Sequence, residues 1–216
     1  GQAVTYTWLG QAFLALLPWN GDPDIAEMVR TGNVSYDRLR PLDTYFYWYC
    51  RAVALLTART LPRAMMMFVF ATIILPLAGL GDWRLRLPHS IDAAMLFVAA
   101  MALVVLLAST VIMVINLVVV ATISDRGVNA LASPLVNVLS GNIVPLPFFP
   151  DWMQPFLFLQ PFAGLVDIPY RIYFGNLSGN LAMVGLLHQI VWIVILALCG
   201  RVLMSRVMGH LQVQGG

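Results

Sequence analysis

Lysine is absent from all 216 residues, so the twelve basic side chains are all arginine. That excludes a P-loop, whose phosphate cradle needs a Lys. It also excludes Schiff-base chemistry and a kinase-type strand lysine. Cysteine is nearly absent too. Cys50 and Cys199 lie far apart in apolar stretches with no CxxC spacing, which gives neither a zinc site nor a redox motif. The three histidines, His89, His188 and His210, are too scattered for a metal cluster. There is no HExxH, and no paired carboxylates sit within the apolar runs. Charge of either sign is scarce, at 10% of residues, while 60% are apolar. A soluble domain has about 25% charged and about 45–50% apolar residues. The composition therefore excludes a soluble enzyme, a disordered segment and a nucleic-acid binder of the basic-patch kind. It points to an all-α membrane protein.

Five runs have the length and apolarity expected of spans: residues 3–19, 61–80, 91–123, 128–144 and 181–203. The third is too long to stand upright and must tilt or project. The arginines fix an expected orientation. Six lie in residues 20–63, one is Arg126, and Arg201 and Arg206 lie after Leu198 at the end of the chain. The opposite side has only Arg84, Arg86 and Arg171. The positive-inside rule then places the C-terminus and residues 20–63 in the cytoplasm. Gly1 falls outside, and no signal-peptide pattern precedes the first run. This leads to the expectation of a further span ahead of residue 1.

Two regions are not simple spans. Residues 21–40 are the most polar. Asp22-Pro23-Asp24 reads as a helix start, Gly32 as its stop, and Ile25, Met28 and Val29 share one face. Asn33 or Ser35 can cap a second short helix through Leu39, and Asp43 or Thr44 the next one. The aromatic cluster at residues 45–49 suits a membrane interface. Arg51 and Arg59 are expected to snorkel, whereas Arg63 needs a partner or a wet cavity. Residues 145–180 carry six prolines yet stay apolar and aromatic. Such a stretch suits short re-entrant helices packed on the protein, with Asp151 and Asp167 available as caps.

Two motifs carry a family resemblance. Residues 30–42, RTGNVSYDRLRPL, resemble the short cytoplasmic stretch of ABC-2 type transporter permeases that precedes a span opening near a basic residue, here Arg51. Residues 139–167, with PLPFFPDWMQP and QPFAGLVD, resemble that family's Pro-containing span, extracellular segment and re-entrant helix. The order of elements matches across nearly the whole chain. The resemblance implies an ABC-2 type exporter transmembrane domain over residues 1–216, with five of an expected six spans present. Residues 20–43 would be the cytoplasmic coupling segment and 145–180 the extracellular re-entrant helices. It implies a non-catalytic permease of the inner (plasma) membrane. Its partners would be a second permease subunit and two ATPase subunits that bind the ATP and Mg. No cofactor or metal is expected in this chain, nor any nucleic-acid partner. Cargo in the family ranges over drugs and natural products, peptides, lipids and polysaccharides.

The residues expected to dock the ATPase are Asp24, Glu27, Arg30, Asp37 and Arg40. Candidates for the pathway are Trp8, Gln11, Arg63, Asn137, Asn142 and His188. Each of these has a plainer reading as a belt residue or as glue between helices. A stand-alone secondary transporter or channel is the alternative, but no inverted repeat supports it.

Overall fold

The computed structural model describes residues 2–33, 42–88 and 90–210. Asp37 and Arg40, and the second short helix expected through Leu39, lie outside the described residues. The elements are α1 (Gln2–Phe13), α2 (Pro23–Arg30), α3 (Thr44–Leu77), α4 (Ile91–Thr122), α5 (Asp125–Leu139), α6 (Gln154–Leu159), α7 (Asp167–Tyr173) and α8 (Asn180–His210). Among the described residues there is no strand.

Three helices, α3, α4 and α8, are long and apolar enough to cross a membrane. The stretches expected as first and fourth spans are shorter. In the first, α1 tightens into a 3-10 turn at Leu14–Leu16 and the chain turns extended at Leu17. In the fourth, α5 has 15 residues, about 22 Å of rise. It stops at Ser140 because Gly141 takes a left-handed φ of +82°. The expected boundary at residue 61 also moves. α3 runs unbroken from Thr44 through Pro62, and Asp43 caps it by accepting from Phe46 N at 2.9 Å. A π-helical stretch at Phe70–Ile74 then precedes Pro76, a common way to absorb a proline's missing donor.

α4 is the central helix. Its most apolar stretch is 67% buried, against 22% in α3 and 17% in α8. The reason is legible in its side chains: Ala100 and Ala108 are fully buried and let neighbours approach, while Val104 and Leu107 fill the space between. α8 packs along α4, and α3 and α7 cover its other sides. At its end Ile123 adopts φ 53°, a position that normally takes Gly, and the chain reverses directly into α5.

Residues 145–180 do break into short pieces. α7 is buried along nearly its whole length, through Ile168, Tyr170, Ile172 and Tyr173. The expected caps are corrected here. Asp151 accepts from the Gln154 side chain, and Met153 at the N-cap of α6 supplies no side-chain cap. Asp167 is the first residue of α7, 3% exposed, and faces Arg171 at 3.5 Å.

Burial pushes the Asp167 carboxyl up to about 6, against the opposing pull of Arg171 and of Leu146 N–H. A carboxyl with a raised folded pKa is protonated more readily when folded than unfolded. Its charged form therefore costs stability that is recovered as pH falls from above 6 towards the ordinary carboxylate range. Linkage over that interval amounts to about 3 kcal/mol at most. The melting temperature of the detergent-purified protein should rise between pH 7.5 and 5. Asp167→Asn should flatten that slope, and an unchanged slope would remove Asp167 from the account.

Candidate functional site

Residues 21–32 of the polar segment fold as their sequence prescribes. Asp22 caps α2, accepting from Asp24 N at 3.0 Å, and Pro23 opens its first turn. Gly32 follows the C-cap with φ +75°. Ile25 is 1% exposed and inserts into a cluster of Trp48, Met113, Leu117 and Val120, joined by Met204 and Met208 of α8. Tyr45 and Trp48 thus point into the protein, where an interfacial belt was expected. Phe46 is 60% exposed, and Tyr47 and Tyr49 are half-buried.

Three helices hold α2 from behind. The Arg51 side chain of α3 binds Asp22 at 2.7 Å and also pairs with Asp24. The Asn116 Oδ1 of α4 accepts from Asp22 N at 2.7 Å. The Asn129 Oδ1 of α5 accepts from Gly21 N at 3.1 Å. Gly21 is required at this contact, because a Cβ there would lie 2.6 Å from Asn116 Oδ1. Arg51 therefore does not snorkel as expected: its charge is spent inside the protein, on a carboxylate whose side chain is only 6% exposed. A cavity of about 650 Å³ lies beside this junction, edged by Glu27, Arg30, Arg59 and Asp125.

Asp24, Glu27 and Arg30 are all exposed on α2. Glu27 and Arg30 edge the cavity, whereas Asp24 serves the clasp with Arg51. Arg51, Asn116 and Asn129 were not among the expected docking residues. Asn116 carries a signal in the sequence, as an amide deep in an apolar run.

The pathway candidates do not converge on one site. Arg63 Nε donates to the Gln11 carbonyl at 2.7 Å, and its Nη2 reaches Gln11 Oε1 at 3.3 Å, so these two do meet. Arg63 thereby finds the partner that its depth in α3 demands. Asn142 Nδ2 donates to Asn137 Oδ1 at 3.1 Å. Trp8 donates to the Trp83 carbonyl at 2.8 Å, which ties α1 to the turn after α3. His188 lies 3.2 Å from the Leu159 carbonyl, which also accepts from Trp192 at 2.8 Å. Its neighbour Gln189, fully buried, donates to Gly164 O at 2.7 Å and Ala100 O at 3.3 Å. Among the described residues no group of His, Cys, Asp and Glu could hold a metal.

A family model described as ABC-2 family transporter protein matches residues 2–215. No curated protein and no solved structure matches the chain. A match over nearly the whole length, on a helical chain with three helices fit to cross a membrane, places this protein in the ABC-2 transporter family as a permease of that type.

Proposed function

We propose that the chain is the membrane-spanning permease of an ATP-driven exporter. It forms half of a translocation pathway with a second permease subunit, and α2 is the element that a separate cytoplasmic ATPase grips. One observation carries the reading: a short amphipathic helix with exposed charges, clasped by three helices of the bundle. A floppy loop would absorb a push, whereas this helix passes it to α3, α4 and α5 together. With the lysine-free sequence unable to build a P-loop, the energy comes from a pair of ATPase subunits that bind ATP and Mg. Their closure moves α2, and the permease pair alternates between inward- and outward-facing states.

This reading puts α2 and the C-terminal end of α8 on the cytoplasmic side of the plasma membrane, following the arginine asymmetry. Arg201 near that end pairs at 3.0 Å with Asp43, the N-cap of α3, so α8 is linked to the start of α3. The pathway residues are drawn from Trp8, Gln11, Arg63, Asn137, Asn142 and His188, with Asp37 and Arg40 joining the docking surface.

Charge reversal at Glu27 and Arg30 tests the docking. Both side chains are exposed, so insertion and folding should be unaffected. In proteoliposomes of the full complex, Glu27→Arg with Arg30→Glu should lower transport per ATP hydrolysed several-fold. Transport at the wild-type level would sink the assignment. Failure of the tagged full-length chain to bring down an ABC ATPase would sink the exporter reading as a whole.

A further inference from the structure

A slot of about 480 Å³ opens between α3 and α4, backed by Phe13, Leu16 and Tyr173. That volume is in the range of small-molecule sites. Its walls are almost wholly carbon. The Tyr173 hydroxyl is spent on the Arg86 carbonyl at 2.7 Å, and that of Thr57 on Val53 O at 2.7 Å. The lining runs from Thr57 to Phe68 on α3 and from Ala94 to Val105 on α4. Eleven residues of rise make the slot about 16 Å long. One leaflet of a bilayer's hydrocarbon core, half of about 30 Å, has that depth.

The slot opens sideways between Leu61 and Val98, 57% and 67% exposed, on helices that themselves have the character of spans. Leu87 and Pro88 line its end near the start of α4. They belong to the loop that carries Arg84 and Arg86, both exposed. Asp82 shares that loop, and Asp92 sits on the first turn of α4, where a carboxylate complements the helix dipole. A further helix does not fit. A cylinder 10–12 Å wide over this length fills roughly 1500 Å³. A single hydrocarbon chain does fit, and a guanidinium within one residue of the mouth suits a phosphate.

We propose that this slot binds one acyl chain of an anionic phospholipid from the surrounding bilayer, with Arg86 engaging the lipid phosphate. The site is separate from the α2 junction and depends only on the chain lying in a membrane, not on coupling to an ATPase. Thr60 at the deep end is 3% exposed, and among the described residues its hydroxyl has no hydrogen-bond partner. With a hydrocarbon occupant that hydroxyl does nothing for binding.

The test is native mass spectrometry of the full-length protein in its complex, delipidated and then titrated with phosphatidylglycerol or phosphatidylcholine. The wild type should retain one phosphatidylglycerol, and Ala102→Phe, which fills the slot, should weaken retention by about tenfold or more. Arg86→Gln should abolish the preference for phosphatidylglycerol over phosphatidylcholine, and Thr60→Val should bind as well as the wild type. Equal retention by wild type and Ala102→Phe would overturn the site. A photoreactive benzophenone at Val98 in the otherwise wild-type chain guards against misfolding of the filled variant. Adducts to phospholipid support the proposal, and adducts to protein alone overturn it.

Discussion

Arg51→Ala should disconnect ATP hydrolysis from transport while the protein still inserts and assembles. The substitution removes the one cation that pairs with Asp22 among the described residues and leaves that carboxylate buried, at 6% side-chain exposure. Severing a well-buried pair costs about 3–5 kcal/mol. Arg51 keeps 28% of its surface, so about 2–3 kcal/mol is the appropriate scale here. That is roughly a 30- to 150-fold shift towards an undocked α2. Hydrogen exchange read on residues 22–30 should accelerate accordingly, and coupled transport should fall by about tenfold or more. Arg51→Lys should recover only part of the loss, because a point charge cannot serve Asp22 and Asp24 as a fork does. Wild-type exchange and transport in Arg51→Ala would show that the clasp is ornamental.

The second large effect belongs to Gln189. Its amide is fully buried and links three elements: α8, α4 through Ala100, and the turn at Gly164. The turn leaves no slack, since a Cβ on Gly164 would come within 2.8 Å of Leu107 and 3.2 Å of Gln189 itself. Gln189→Ala withdraws both hydrogen bonds and leaves a void among close-packed neighbours. Together these cost about 3–5 kcal/mol. In a chain of this size that is on the order of 10 °C in melting temperature. The loss should appear first as exchange in residues 154–173, which hang on that amide. A melting temperature within a degree of wild type would mean that the segment is held by its apolar contacts alone.

The parts of this molecule legible in the sequence are those set by near neighbours. Asp22-Pro23-Asp24, Gly32 and Asp43 act within a few residues of themselves, and each does in the structure what its type prescribes. The prolines of 145–180 broke the helix as expected, because a missing donor is a local fact. The clasp was not legible. Arg51 meets Asp22 across 29 residues, and Asn116 meets it across 94. An arginine near a span's end looks the same in sequence whether it reaches for headgroups or for a carboxylate on another segment. Trp48 shows the same limit, since only the arrival of Ile25 makes its position interior. Boundaries failed for a different reason. Asp43 marks the helix start locally, but the continuous apolar run begins only at residue 61, so hydropathy sets the span's start well inside a helix that passes unbroken through Pro62.

That continuity gives α3 the proportions of a lever. Thirty-four residues make a rod about 50 Å long, well beyond the hydrocarbon thickness of about 30 Å. Arg51 grips α2 near one end, and the Arg63 bond to Gln11 holds the rod near its middle. Tilting such a rod by about 5° about that point carries each end roughly 2 Å in opposite directions. The π-helical stretch at Phe70–Ile74 lies on the far arm, where the backbone is least stiff. A stroke entering at Arg51 would thus arrive at the Trp83 turn reversed in sense and softened, with Gln11 as the fulcrum.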